Sequence, residues 1–124
     1  MPRIIRMLVV TAVCLLAATS GAVDKAVIQK NVDEMVAAIN NGKEATSYSA
    51  NAYTPYAFVM EPSGKLIVHP YLTGEYLQEK AAPVYSALQQ ATTNGVWVSY
   101  FWKGTQKETY VRRTDNNLTV GSGR

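Results

Sequence analysis

The chain has 124 residues and a formal net charge of +3, from 12 Lys and Arg against 9 Asp and Glu. That length can build one modest core but not two. A single cysteine and a single histidine exclude a disulfide framework, a thiolate zinc cluster and any site that needs two imidazoles.

The first 22 residues have the layout of a secretory signal peptide. Arg3 and Arg6 form a positive n-region, residues 7–18 are apolar apart from Thr11, and Ser20 and Ala22 are small residues two apart, as cleavage requires. The apolar run is shorter than the ~18 residues of a membrane span; the alternative is an uncleaved anchor over residues 7–23. Cys14 follows Thr11-Ala12-Val13 and is not in a lipid-attachment context. Cleavage after Ala22 leaves one domain, residues 23–124, expected in the periplasm or secreted. Arg3, Arg6 and Cys14 depart with the signal, so ten basic residues then face nine acidic ones and no thiol remains. No basic run is left to hold nucleic acid or an anionic membrane, and no second apolar span follows.

Over residues 23–41, Val27, Ile28, Val32, Met35, Val36 and Ile39 recur at three- and four-residue steps, which predicts an amphipathic helix. Asn40-Asn41-Gly42 supplies its stop. Residues 43–54 show no clean period and read as irregular. Strands are predicted over 55–60 and 65–69, joined by Glu61-Pro62-Ser63-Gly64, a turn in which Pro presets φ and Gly closes. Residues 71–80 form a connection. A helix over 82–92 follows, with Pro83 in its first turn and Asn94-Gly95 as its end. Residues 96–102 carry two Trp, a Tyr, a Phe and two Val around Ser99, and are expected to be covered on both faces. A turn over 103–106, a strand over 107–114, a turn over 115–117 and a short strand over 118–122 complete the chain. Helix, two strands, helix and three strands make an α+β domain. It should be a five-stranded, mostly antiparallel sheet with a long N-terminal helix and a central helical crossover.

Enzyme chemistry needs a nucleophile with a base, paired carboxylates or a metal cluster. His69 stands alone, the acidic residues are scattered, and no glycine-rich phosphate loop precedes a helix. No catalytic residue, metal or cofactor is therefore expected. Binding is better supplied: eight Tyr and two Trp offer apolar walls with polar tips. By alternation, Val96, Val98, Tyr100 and Trp102 share one strand face and Trp97, Ser99 and Phe101 the other. In the next strand Tyr110 and Arg112 lie opposite Lys107, Thr109 and Val111. A regular hairpin would bring Tyr100 and Tyr110 near one another across the strands.

Residues 56–70, Tyr-Ala-Phe-Val-Met-Glu-Pro-Ser-Gly-Lys-Leu-Ile-Val-His-Pro, resemble the hairpin of single Cache domains, extracytoplasmic sensor modules with a PAS-like fold. Gly74 matches the loop glycine that follows that hairpin. Gly95-Val-Trp-Val-Ser-Tyr-Phe-Trp102, Lys107-Glu-Thr-Tyr-Val111 and Leu118-Thr-Val-Gly-Ser-Gly123 resemble the family's next three motifs, in order. Glu61 stands where the family has Asp, and the turn after Trp102 is shorter than the family's loop. The resemblance implies a sensory or binding module that holds a small metabolite, a carboxylate-like organic anion, between the sheet and the central segment; because the sequence stops at Arg124, where relatives often continue, the module is expected to be a detached one. It nominates His69, Tyr100, Trp102, Lys107 and Tyr110 as ligand-binding residues, with Lys107 or Arg112 meeting the carboxylate. The alternative is a ligand-free interaction module that docks on a membrane receptor or forms a homodimer through its N-terminal helix.

Overall fold

A computed structural model describes residues 20–124. The expected signal segment, up to residue 19, lies outside the described residues. The first helix, α1 (Ser20–Asn40), starts ahead of the expected cleavage point. Ile28, Val32, Met35, Val36 and Ile39 form its buried stripe, while Val27 lies at the stripe's margin and is exposed. Lys30 and Glu34, one turn apart on the outer face, pair at 2.6 Å. Gly42 ends the helix at φ +108°. Its N–H donates to the Ile39 carbonyl, and that of Lys43 reaches back to Ala38, both at 3.0 Å. These are the two bonds of a Schellman stop.

A 3-10 turn (Ala45–Ser47) precedes the sheet. The strands are β1 (Phe58–Met60), β2 (Leu66–Val68), β3 (Val96–Trp102), β4 (Thr105–Arg113) and β5 (Thr119–Gly123). Between β2 and β3 lie α2 (Leu77–Lys80) and α3 (Ala82–Leu88). The strand order is β2-β1-β5-β4-β3 and every pairing is antiparallel. The molecule is thus α+β, with a topology compatible with a PAS-like fold.

Each face of the sheet buries its own core. On one side Ile28, Val32, Met35 and Val36 of α1 pack with Val59, Tyr110 and Val120. On the other, Leu77 of α2, Ala87 and Leu88 of α3 and Ala81 at the joint between the two helices pack with Phe58, Met60, Val98 and Val111. The central strand β5 carries Gly121 opposite Phe58. A Cβ there would come within 2.6 Å of the Phe58 ring, so the missing side chain makes room for it.

Turn chemistry sets the registers. The Gly64 N–H closes the β1–β2 turn on the Glu61 carbonyl at 2.8 Å. The β3–β4 turn is tighter than expected. Trp102 pairs directly with Thr105, and Lys103 and Gly104 alone make the turn at φ +54° and +80°, the handedness that matches strand twist. The expectation that residues 96–102 are covered on both faces fails in the outer half of β3. This strand is an edge and α1 packs on β4 and β5, so Phe101 is 67% exposed.

Candidate functional site

A cavity of about 460 Å³ opens between the sheet and the segment running from His69 to α3. β3 and β4 contribute Tyr100, Trp102, Lys107 and Thr109, all on the face opposite α1. Phe58 comes from β1, Tyr56 from the chain just before it, and Leu77, Lys80 and Val84 from α2 and α3. The Tyr100 hydroxyl and Thr109 Oγ1 are 2.7 Å apart. Burial, followed by the neighbouring Tyr71 and then Tyr100 hydroxyls, pushes the Tyr56 phenol up to about 12, so it remains a neutral donor at any ordinary pH.

His69 lines the cavity just past the end of β2, ahead of Pro70. Its ring lies edge-on to Tyr56 and Tyr71, with centroids 5.1 and 4.7 Å away. The backbone N–H groups of Leu72 and Tyr71 donate to Nδ1 at 3.1 and 3.3 Å. Burial lowers the imidazole to about 4, so the ring is neutral at pH 7. With Nδ1 accepting, the proton resides on Nε2. Thr73 fastens the same corner: its hydroxyl donates to the His69 carbonyl at 2.8 Å.

The charged side chains on the walls share one sign. Lys80, Lys103, Lys107 and Arg124 line the cavity, and no Asp or Glu does among the described residues. Lys80 reaches Glu75 at 3.5 Å and Arg124 reaches Glu108 at 3.3 Å, both outside the lining. Lys103 lies over the Trp102 ring at 5.6 Å. Lys107, half-buried opposite Tyr100, has no acidic partner among the described residues. An electropositive cavity with aromatic walls can hold a small anion against flat apolar surface, with its charge met at Lys107. Among the described residues there is no group of three or more metal-ligating side chains.

Of the residues nominated from the sequence, His69, Tyr100, Trp102 and Lys107 line this cavity. Tyr110 and Arg112 do not. The two-residue turn sets Tyr100 opposite Lys107 and Tyr110 opposite Trp97, which puts the two tyrosines on opposite faces of the sheet. Tyr110 and Arg112 serve the helix side: each donates to Asp33 Oδ1 of α1 at 3.0 Å. Arg112 also donates to the Thr93 carbonyl, from Nε at 2.9 Å and Nη2 at 2.6 Å. Burial and then the Asp33 hydrogen bond raise the Tyr110 phenol. Sequence reasoning missed Tyr56, Phe58, Tyr71, Lys80 and Thr109. Alternation from Lys107 would have placed Thr109; nothing local marks Tyr56 or Lys80, which reach the cavity only through the tertiary fold. Among the described residues no helix is long and apolar enough to cross a membrane. No protein-family model matches the chain, and no curated protein matches it.

Proposed function

We propose that the chain is an exported Cache-like domain that reversibly binds a small organic anion, as a sensory or binding module outside the cytoplasm. The observation that carries this reading is the cavity lined by four cationic side chains and, among the described residues, by no Asp or Glu side chain. Its volume falls within the ~300–1,000 Å³ typical of small-ligand sites. The four ordered sequence motifs and the β2-β1-β5-β4-β3 strand order support the family assignment. Lys107 supplies the counter-charge, Tyr100 and Trp102 supply walls, and His69 supplies a neutral Nε2–H donor fixed by its two backbone partners.

The test is thermal unfolding against a panel of small carboxylates, amino acids and neutral analogues. A ligand that binds the folded state raises the melting temperature, by the equivalent of about 2.7 kcal/mol at a hundredfold excess over Kd. Lys107→Gln should weaken the best ligand about tenfold, the scale of one charge-assisted hydrogen bond. A panel without any shift at millimolar concentration, together with no co-purified metabolite, would overturn the reading.

A further inference from the structure

The two edges of the sheet are finished differently. Against the outer side of β2 runs the segment from Gly74 to Tyr76. Leu66 N–H donates to the Glu75 carbonyl at 2.9 Å, Gly74 N–H donates to the Leu66 carbonyl at 2.7 Å, and Lys65 bridges to Tyr76. The outer side of β3 has no such cover among the described residues. Edge strands are normally blunted by shortness, charge, proline or a bulge, because their unpaired N–H and C=O groups template another strand. β3 has none of these devices. It is seven residues long, Val-Trp-Val-Ser-Tyr-Phe-Trp, and pairs with β4 in unbroken register from Val96 to Trp102.

The hairpin decides which backbone groups are left over. In a two-residue turn the flanking pair, here Trp102 and Thr105, exchanges hydrogen bonds. Alternation then commits Val96, Val98, Tyr100 and Trp102 to β4, and the N–H and C=O groups of Trp97, Ser99 and Phe101 point outward. These three side chains share the α1 side of the sheet, where Phe101 is 67% exposed and Ser99 is also exposed.

We propose that this edge pairs with the same edge of a second copy of the chain, antiparallel about a two-fold axis through Ser99, so that two sheets become one. The strand is its own complement in that register. Ser99 meets Ser99 of the second copy, and Trp97 meets Phe101 in both directions, so all three outward residues find outward partners in about six backbone hydrogen bonds. A two-fold contact sets a charge on its axis against the same charge of the second copy; β3 carries no charged residue and escapes that penalty, whereas it offers a charged partner strand nothing to pair with. Lys103, at the turn, falls beyond the paired stretch. The capped β2 edge stops the assembly at two copies, so the contact closes and does not grow into a filament. The interface is independent of the ligand cavity, which lies on the opposite face of β3.

The experiment is sedimentation velocity with light scattering on the protein in the form that accumulates when the full chain is expressed, from about 1 to about 200 µM, a range that resolves Kd values in the micromolar region. The wild type should run at twice the monomer mass at the upper end. Ser99→Pro removes one outward N–H and leaves the β4 ladder intact. Phe101→Lys places a charge where each copy meets the other. Both should weaken self-association at least ~100-fold while the far-ultraviolet circular dichroism stays that of the wild type. Should Ser99→Pro fail to fold, Phe101→Lys decides alone. A wild type that remains monomeric at the upper end, or a dimer that survives Phe101→Lys, overturns the proposal.

Discussion

At His69 two backbone N–H groups converge on one ring nitrogen, and a protonated ring would present a donor to them instead. Burial adds to the cost of charge and holds the imidazole near 4, below its ordinary value of about 6.5. The unfolded chain therefore takes up the proton first as the pH falls. The stability tied to neutral His69 is complete above about pH 6.5 and is lost as the pH drops toward 4. His69→Asn keeps an acceptor for Tyr71 and Leu72 without a titrating group. Urea unfolding at about pH 7 and pH 4.5 should show the wild type losing about 2 kcal/mol more than this variant. Equal losses would assign the acid sensitivity to the carboxylates. His69 was legible in the sequence because it is the only histidine and ends a strand at Pro70. Its environment was not legible: Tyr56 and Tyr71 flank it only once the chain has doubled back.

At the scale of elements, periodicity read well and register did not. The α1 stripe and its Gly42 stop follow from spacing and from one residue's freedom at positive φ. The second long helix was expected over 82–92, but α3 ends at Leu88. The Gln89, Gln90 and Ala91 N–H groups then bond to carbonyls three residues back, a tightening that carries Ala91 into the core. In the β3–β4 hairpin the alternation of faces was legible, but matching faces across the strands depends on whether the turn holds an even or an odd number of residues. The even, two-residue turn sets Tyr100 opposite odd-numbered Lys107 and leaves Tyr110 and Arg112 on the helix side. Gly95, just ahead of β3, is the tightest joint of this region. It has φ +98°, and a Cβ on it would collide with the Tyr110 hydroxyl and approach Arg112 Cγ at 2.9 Å. Gly95→Ala should cost about 2–3 kcal/mol, from left-handed strain together with displacement of a buried tyrosine. Chemical denaturation measures it; a loss under ~0.5 kcal/mol would mean that Tyr110 moves aside freely.

Over residues 20–124 ten basic side chains stand against nine acidic ones, yet four cations gather at one cavity. The attraction for an anion is therefore local and accessible to salt. Raising the ionic strength from about 0.05 to about 0.5 M should weaken an anionic ligand roughly three- to tenfold and leave a neutral analogue unchanged. Calorimetric titration at both salts reads the difference, and an affinity indifferent to salt would mean that the cations play no part. The overall α+β order was legible because turn residues and apolar runs alternate clearly along the chain. The cavity was legible only in part, since Lys80 and Lys103 are ordinary surface lysines until the fold brings them to a common rim.

One strand separates the two halves of the molecule. Along β4, Lys107, Thr109 and Val111 face the cavity side, while Glu108, Tyr110 and Arg112 face α1. A slip of one position would exchange every side chain between the two, so the strand cannot be retuned by sliding. It can be rewritten by substitution, one parity at a time. Of the odd positions, Lys107 and Thr109 line the cavity and are open to substitution while Tyr110 and Arg112 keep their bonds to Asp33. Val111, fully buried in the core opposite α1, is bound to its size, so the cavity end of β4 is free to vary and the far end is not.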